Sequence, residues 1–149
     1  MTTRRCPMYD DTVSDLLATR PGEHAVTVAP DATVTYAVCL MNHNDVGAVL
    51  VMDGARLAGI FTERDVLRRV IEPGLDPSIT RVHEVLSEKP TTIAGAELAE
   101  HALDVMVEGG FRHLPVVAGT RVEGIVSMRD LTGWLIHRLQ ADDEDRVGV

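Results

Sequence analysis

GIFTERD, at residues 59–65, recurs as GIVSMRD at residues 124–130. Each copy has a glycine and two apolar residues, then a hydroxyl residue, and an aspartate three positions after the hydroxyl. The match runs without a gap over residues 27–71 and 92–136, at a constant offset of 65 residues. Upstream, residues 13–17 match residues 82–86 at an offset of 69, so the first copy has four extra residues before its first strand. Such a long register indicates an internal duplication.

Both copies predict the same order of elements, β-α-β-β-α. A short apolar segment, at residues 24–28 and 91–93, precedes a helix whose apolar residues recur at i, i+3, i+4 and i+7. Asp31 is the expected N-cap of the first such helix. Glycine-containing turns join the hairpin strands. Those strands are predicted at residues 46–52, 57–62, 111–117 and 122–127, and the closing helices at 63–71 and 128–139.

A unit of this size buries too little surface alone, so we expect the two copies to pack face to face in one α/β (α+β) fold. The expected organisation is an N-terminal tail at residues 1–11, repeats at 12–73 and 74–139, and a frayed acidic tail at 140–149.

Composition excludes several functional classes. The 14 Lys and Arg residues are outnumbered by 23 Asp and Glu residues, giving a net charge of −9, which argues against a nucleic-acid surface. No apolar run approaches the roughly 20 residues that cross a bilayer, and no signal segment is visible, so we expect a cytoplasmic protein without a membrane contact. An anionic ligand would need Arg, His or helix N-termini concentrated at one place.

The repeated hydroxyl-x-x-Asp pattern has two interpretations. It is typical of a capping box, in which the hydroxyl accepts from a backbone N–H at a helix start. The same geometry suits a nucleoside, since a carboxylate accepts from both ribose hydroxyls and a helix N-terminus favours phosphate. Its recurrence at one offset favours a function beyond capping.

With FRHLPVV at residues 111–117, these elements resemble a tandem CBS-domain pair, or Bateman module, over about residues 12–139. The resemblance implies two β-α-β-β-α repeats related by a pseudo-twofold axis, with two clefts between them. Such clefts bind adenosine-containing ligands (AMP, ADP, ATP, NAD(H) or S-adenosylmethionine), and such pairs commonly form homodimers.

The resemblance also implies roles for particular residues. Asp65 and Asp130 would hold ribose hydroxyls, and Thr62 and Ser127 would bind ribose or phosphate. The adenine slot would be lined by the first-strand residues Thr27, Val28, Thr92 and Ile93.

Phosphate would be bound by Arg112 and His113, in the cleft that contains Asp65. Arg64 and Arg129 would either reach phosphate or remain solvated or paired with an acid. Gly47 and Ala48 stand where the second copy has Arg112 and His113, so we expect two unequal sites.

No metal-ligand spacing, nucleophile elbow, phosphate-binding loop or paired-acid signature occurs. Ser127 and His113 are poor candidates for a nucleophile and base, because the first copy has Thr62 and Ala48 instead. Trp134 fits either a dimer face or the core. The expected function is therefore a non-enzymatic sensor that requires no cofactor, binds an adenine nucleotide and signals to a separate, unidentified effector protein. The alternative is a dimerising scaffold with vestigial sites, and an enzyme ranks last.

Overall fold

The computed structural model describes residues 10–20 and 25–147. The first repeat and the helix before it comprise α1 (Val13–Ala18), β1 (Thr27–Val28), α2 (Val34–Asn44), β2 (Ala48–Asp53), β3 (Arg56–Thr62) and α3 (Glu63–Asp65), which continues as a π-helix (Val66–Ile71). The rest of the chain comprises α4 (Val82–Val85), β4 (Ser87–Glu88), β5 (Ile93–Ala94), α5 (Ala99–Gly109), β6 (His113–Ala118), β7 (Arg121–Ser127) and α6 (Met128–Val147).

The two repeats form two sheets of matching topology. One sheet has the order β1-β2-β3-β4 and the other β5-β6-β7. In each, the first strand is parallel to the second and the second is antiparallel to the third. The hairpin turns place Gly54 at φ 61° and Gly119 at φ 62°, a region that favours glycine. The predicted duplication of strand order is confirmed.

The sheets face each other, as the sequence predicted. Ala48, Leu50 and Ile60 of the first repeat form one buried cluster with Ile125 of the second. On the opposite face of each sheet, the predicted helix stripes are buried at the matching residues Val34, Ala37, Met41, Ala99, Ala102 and Met106. Each repeat is thus a sheet covered by a helix on one side and by the other repeat on the other.

The short helices α1 and α4 are exchanged between the repeats. Although α1 precedes the first repeat, its Val13, Leu16 and Leu17 belong to the core of the second. Conversely, α4 precedes the second repeat, but Val82 and Val85 complete the core of the first. Strand β4 follows α4 and extends the sheet of the first repeat by pairing with β3.

Three expectations about the ends of elements are wrong. Asp31 is not the N-cap of α2, because Thr33 lies at that position and accepts from the backbone N–H of Tyr36 at 3.1 Å. The acidic segment is not a frayed tail over residues 140–147, since α6 continues to Val147. The helix predicted at residues 63–71 is α-helical for only three residues before it becomes a π-helix.

Asp11, which was assigned to the N-terminal tail, is anchored to α6. Its carboxylate accepts a 2.7 Å hydrogen bond from the indole N–H of Trp134 and pairs with Arg138. Its carbonyl accepts from the backbone N–H of Ala99. The ring of Trp134 also packs against the core of the second repeat, so its indole N–H is hydrogen-bonded while its apolar part is partly buried.

Residues 1–9, 21–24 and 148–149, including His24, lie outside the described residues. Within the described part of the chain, no helix has the length and apolar character needed to span a membrane.

Candidate functional site

A cavity of about 560 Å³ opens between the two repeats. One wall comes from the end of β3 and the helix after it, at residues 62–65 and 67–69. The opposite wall comes from the second repeat, at residues 110–113, and the segment that joins the repeats contributes Ser87, Pro90 and Thr91. The cavity therefore includes Asp65 and Thr62 from one repeat and Arg112 and His113 from the other.

Thr62 and Asp65 form a complete capping box. The backbone N–H of Asp65 donates to Thr62 Oγ1 at 3.3 Å, and that of Thr62 donates to Asp65 Oδ2 at 3.0 Å. The other carboxylate oxygen, Oδ1, accepts from Ser87 Oγ at 3.2 Å and lies 3.4 Å from Arg69 Nε. The capping interpretation is thus correct for one oxygen of Asp65. The second oxygen is held by groups that also line the cavity.

Ser127 and Asp130 form the matching box in the second repeat, with hydrogen bonds of 2.8 and 3.1 Å. Neither residue contributes to the cavity described above. Arg20, two residues after the end of α1, donates from Nη1 to Asp130 Oδ2 at 3.1 Å. The two repeats therefore share the capping geometry but surround their acids differently.

Gly47 provides the space for the basic residues of the second repeat. A Cβ at residue 47 would lie 3.2 Å from the Glu63 carboxyl, closer than most side-chain contacts, and 3.4 Å from His113 Cε1, an ordinary van der Waals contact. Gly47 therefore lies beside Glu63 of the first repeat and His113 of the second, and all three residues line the cavity.

His113 is shielded from water in this position. Burial lowers the pKa of His113 below its usual value of 6.5, because desolvation disfavours the charged imidazolium. Glu63 opposes this by raising the pKa, Arg112 lowers it, and Asp130 raises it. His113 is therefore a neutral hydrogen-bonding group at pH 7, and the permanent positive charge of the cavity comes from arginine.

The cavity collects more arginine than the sequence pattern indicated. Arg64 and Arg112, two of the residues assigned to phosphate, line it, and their phosphate-binding role stays a prediction. Two further residues, Arg68 and Arg69 of the π-helix, line it as well. These four arginines face two carboxylates, Glu63 and Asp65, in a chain whose net charge is −9. The spacing of Arg68 and Arg69, three and four residues after Asp65 on a helix, could have revealed them.

Arg129 lies elsewhere: its side chain is 86% exposed, and its Nη1 lies 4.0 Å from Asp45 Oδ2. This position matches the solvated or acid-paired alternative rather than phosphate binding in the cavity.

The residues expected to line an adenine slot do not line this cavity. Val28 and Ile93 are buried in the two hydrophobic cores, and Thr27 and Thr92 are exposed beside them. Pro90 and Thr91, just before β5, line the cavity instead. The adenine-binding role of the four predicted residues stays a prediction. In the described residues no cluster of three or more His, Cys, Asp or Glu side chains could hold a metal ion.

Comparison with known proteins agrees with this architecture. The protein-family model described as CBS domain matches residues 12–72 and again residues 82–137. The chain belongs to the CBS-domain family. The resemblance noted in the sequence is therefore confirmed, and CBS pairs are regulatory modules as a class.

Two CBS-domain relatives come from Arabidopsis thaliana. The CBS domain-containing protein CBSCBSPB2 is 40% identical over 109 residues, which cover 72% of this chain and 20% of that protein. The mitochondrial CBS domain-containing protein CBSX3 is 32% identical over 135 residues, or 85% of this chain and 65% of that protein. The chain thus spans about a fifth of the length of the first relative and just under two thirds of the second.

Solved CBS structures show the same fold. A CBS-domain protein from Burkholderia ambifaria superimposes with a TM-score of 0.80 at 34% identity, covering 85% of this chain and 94% of that one. The CBS pair of protein MJ0100, solved with 5′-methylthioadenosine and S-adenosyl-L-methionine, has a TM-score of 0.73 at 20% identity. It covers 85% of this chain and 97% of that one, and at this identity the likeness is one of fold.

Proposed function

We propose that this CBS pair binds a phosphorylated adenosine nucleotide in the cavity beside Asp65 and signals its presence to a separate effector protein. The observation that carries the proposal is the meeting of Asp65, from one repeat, with Arg112 and His113, from the other, around a single cavity. Its volume of about 560 Å³ falls in the range typical of small-ligand sites.

The ribose would be held by Asp65. Its Oδ1 accepts one hydrogen bond, from Ser87, and each oxygen of an ionised carboxylate can accept about two. A ribose hydroxyl could therefore join or replace the Ser87 hydroxyl without disturbing the capping bonds, which Oδ2 receives. The box then serves to fix the carboxylate in one orientation before the ligand arrives.

The charge of the cavity favours phosphate. Four arginines against two carboxylates leave an excess of positive charge, and arginine binds phosphate oxygens through strong charge-assisted hydrogen bonds. Among adenosine-containing ligands, this favours AMP, ADP, ATP or NAD(H) over S-adenosylmethionine, whose sulfonium is cationic. The two ligands of protein MJ0100, 5′-methylthioadenosine and S-adenosyl-L-methionine, share the adenosine part with AMP, ADP, ATP and NAD(H) but carry no phosphate.

A ligand in this position would contact both repeats at once. Binding energy can shift a conformational equilibrium only through different affinities for its two states. Since opposite walls belong to different repeats, a change in their separation alters the ligand contacts. This gives a nucleotide the means to bias the arrangement that an effector protein would recognise. The proposal requires no resident cofactor and no chemical step.

The test is a thermal-shift panel with AMP, ATP, NADH and S-adenosylmethionine, since a ligand that binds only the folded state raises the melting temperature. We expect the phosphorylated nucleotides to raise it and S-adenosylmethionine to have the smallest effect. The second candidate is a scaffold in which the hydroxyl-x-x-Asp motifs only cap helices, and the capping boxes at Thr62–Asp65 and Ser127–Asp130 support it. A panel in which no nucleotide shifts the melting temperature would favour this scaffold.

We also propose that the chain forms a homodimer. Ile71 and Ile136 occupy matched positions in the two repeats, and both are about half exposed, at 56% and 51%. Exposed apolar side chains that are repeated on equivalent helices are suited to a symmetric interface. Light scattering after gel filtration would test this, with Ile71→Asp and Ile136→Asp expected to yield monomers. A cytoplasmic location stays a prediction.

A further inference from the structure

The guanidinium group of Arg20 lies against the acid of the second repeat. Its Nη1 donates to Asp130 Oδ2 at 3.1 Å, and its Nη2 donates to the carbonyl oxygen of Ile125 at 2.6 Å. The side chains of Arg20 and Asp130 are only 33% and 23% exposed. Arg20 lies two residues after α1, which is anchored in the second core by Leu16 and Leu17, so packing holds this part of the chain near Asp130.

Asp130 and Ile125, which accept hydrogen bonds from Arg20, match residues of the cavity. At the repeat offset of 65, Asp130 corresponds to Asp65 and Ile125 to Ile60, and both Asp65 and Ile60 line the cavity of the first repeat. The guanidinium thus contacts Asp130 and Ile125, the second-repeat equivalents of two residues that border the cavity in the first repeat. In the second repeat, that space holds a side chain of the protein itself.

The upstream segment explains this asymmetry. At the upstream offset of 69, Ser87 corresponds to Ala18 and Lys89 to Arg20. In the first repeat the small Ser87 hydroxyl reaches the acid, whereas Lys89 is exposed and does not line the cavity. In the second repeat the hydroxyl is missing and the long arginine side chain reaches the acid instead.

Arg69 does not have the same effect on Asp65. It is on the helix that forms the cavity wall, four residues after the acid, and its Nε lies 3.4 Å from Oδ1. Its Nη1 donates to the carbonyl of Leu86 at 2.8 Å, which directs the guanidinium along the wall. A cavity of about 560 Å³ exists with Arg69 in this position, so Arg69 borders the ligand space without filling it.

We propose that Arg20 occupies the nucleotide position beside Asp130 and closes that cleft, so that the chain binds one nucleotide, at Asp65. This inference rests on the proposed function, because it concerns the second copy of the same kind of site. A nucleotide entering the Asp130 cleft must displace at least the charge-assisted hydrogen bond from Arg20 to Asp130 and its hydrogen bond to the carbonyl oxygen of Ile125. We expect this competition to weaken binding there by about tenfold or more.

The test is calorimetric titration of AMP and of ATP into the wild type and Arg20→Met, which keeps an unbranched side chain like the aliphatic part of arginine but removes the guanidinium and its hydrogen bonds. We expect one nucleotide per wild-type chain and two per Arg20→Met chain. The added site should disappear in Arg20→Met/Asp130→Asn and persist in Arg20→Met/Asp65→Asn. Arg56→Met is the matched control, since it removes the same charge from a side chain that is 75% exposed and remote from both acids.

Failure of this inference differs from failure of the proposed function. Two nucleotides per wild-type chain, with one lost in Asp130→Asn, would overturn the role of Arg20 and leave the Asp65 site intact. Equal stoichiometry in the wild type and Arg20→Met, or a loss of binding in Arg20→Met, would overturn it as well. If the wild type binds no nucleotide but Arg20→Met binds one, the Asp65 site is wrong and the closure by Arg20 is supported. Circular dichroism of each variant verifies that it is folded.

Discussion

The hydroxyl of Ser87 lies 3.2 Å from Oδ1 of Asp65 and donates a hydrogen bond to it, although 22 residues separate the two along the chain. Ser87 is on β4, which belongs to the sheet of the first repeat but leads into the second. Asp65 is also the one buried charged residue in the described part of the chain, at 6% exposure. The connection between the repeats therefore orients the group that we assign to ribose binding.

Replacing Asp65 with Asn should weaken nucleotide binding with little change in stability. The amide oxygen of an asparagine at this N3 position can still accept from the backbone N–H of Thr62, but its amide nitrogen cannot accept the hydrogen bonds that two ribose hydroxyls donate. We expect the dissociation constant for AMP to rise by about tenfold or more. Calorimetry measures this, and Asp53→Asn, at an exposed acid in the β2–β3 turn region, is the control. Unchanged affinity in Asp65→Asn would refute the ribose assignment.

Arg112 should act on the phosphates alone. We expect Arg112→Ala to weaken ATP binding by about ten- to a hundredfold, because charge-assisted hydrogen bonds contribute about 1.5–3 kcal/mol. Adenosine, which has no phosphate, should bind equally well to the variant and the wild type. Arg129→Ala, which removes an arginine outside the cavity, should leave both affinities unchanged. Equal losses for ATP and adenosine would indicate a structural role for Arg112 instead.

Two glycine substitutions should have opposite effects on stability. A Cβ at Gly59 would lie 2.5 Å from the backbone oxygen of Ser87 and would collide with the side chain of Leu86. Gly59→Ala should therefore lower the free energy of unfolding by about 1–3 kcal/mol and displace β4. At Gly133, in α6, a Cβ meets nothing within 4 Å, so Gly133→Ala should raise it by up to about 1 kcal/mol. Urea unfolding measures both.

Gly59→Ala should also weaken AMP binding, since Ser87 pairs with Ile60 in the same ladder and holds Asp65. Gly133→Ala should leave AMP binding unchanged. If Gly59→Ala binds AMP as well as the wild type, the hydrogen bond from Ser87 of β4 to Asp65 does not contribute to nucleotide binding.

His113 should make folding stability depend on pH. Burial holds its pKa below 6.5 in the folded state, so the unfolded chain takes up this proton first as the pH falls. Its contribution is therefore fully present above pH 6.5 and is lost as the pH falls from there through the lowered value. We expect His113→Gln to lose less stability than the wild type between about pH 8 and about pH 5.5 in urea unfolding.

Glu63 provides the opposite control for this effect. Its carboxylate raises the pKa of His113, so Glu63→Gln should lower that pKa further. The loss of stability at low pH should then be larger than in the wild type. Identical pH profiles for the wild type, His113→Gln and Glu63→Gln would contradict the assignment.

Much of the fold was predictable because the duplication provides two independent readings of one pattern. The glycine turns at Gly54 and Gly119 and the apolar stripes of α2 and α5 occur where both copies agree. The end of α6 was not predictable, because its acidic residues match nothing in the first copy and lack an apolar stripe. Local helix propensity prevailed there over the expectation of fraying.

The site was predictable only where the repeat pattern extends. Thr62, Asp65, Arg112 and His113 meet at the cavity as the pairing of the two copies suggested. The position of Arg20 could not be predicted, because it lies beside the four-residue insertion and reaches a residue 110 positions away. The exchange of α1 and α4 was also hidden, since an apolar stripe shows that a helix is buried but not which core it completes.

That exchange bears on how such a chain could have arisen. A single repeat with its own preceding helix would present an uncovered core and a helix directed away from it. In a dimer of two such chains, the helix of each chain could pack against the uncovered core of the other. We infer that the one-repeat ancestor was stable only as a dimer, and that gene fusion made an existing intermolecular contact intramolecular. Once the halves were joined in one chain, their sequences were free to diverge, as Arg20 and Lys89 have done.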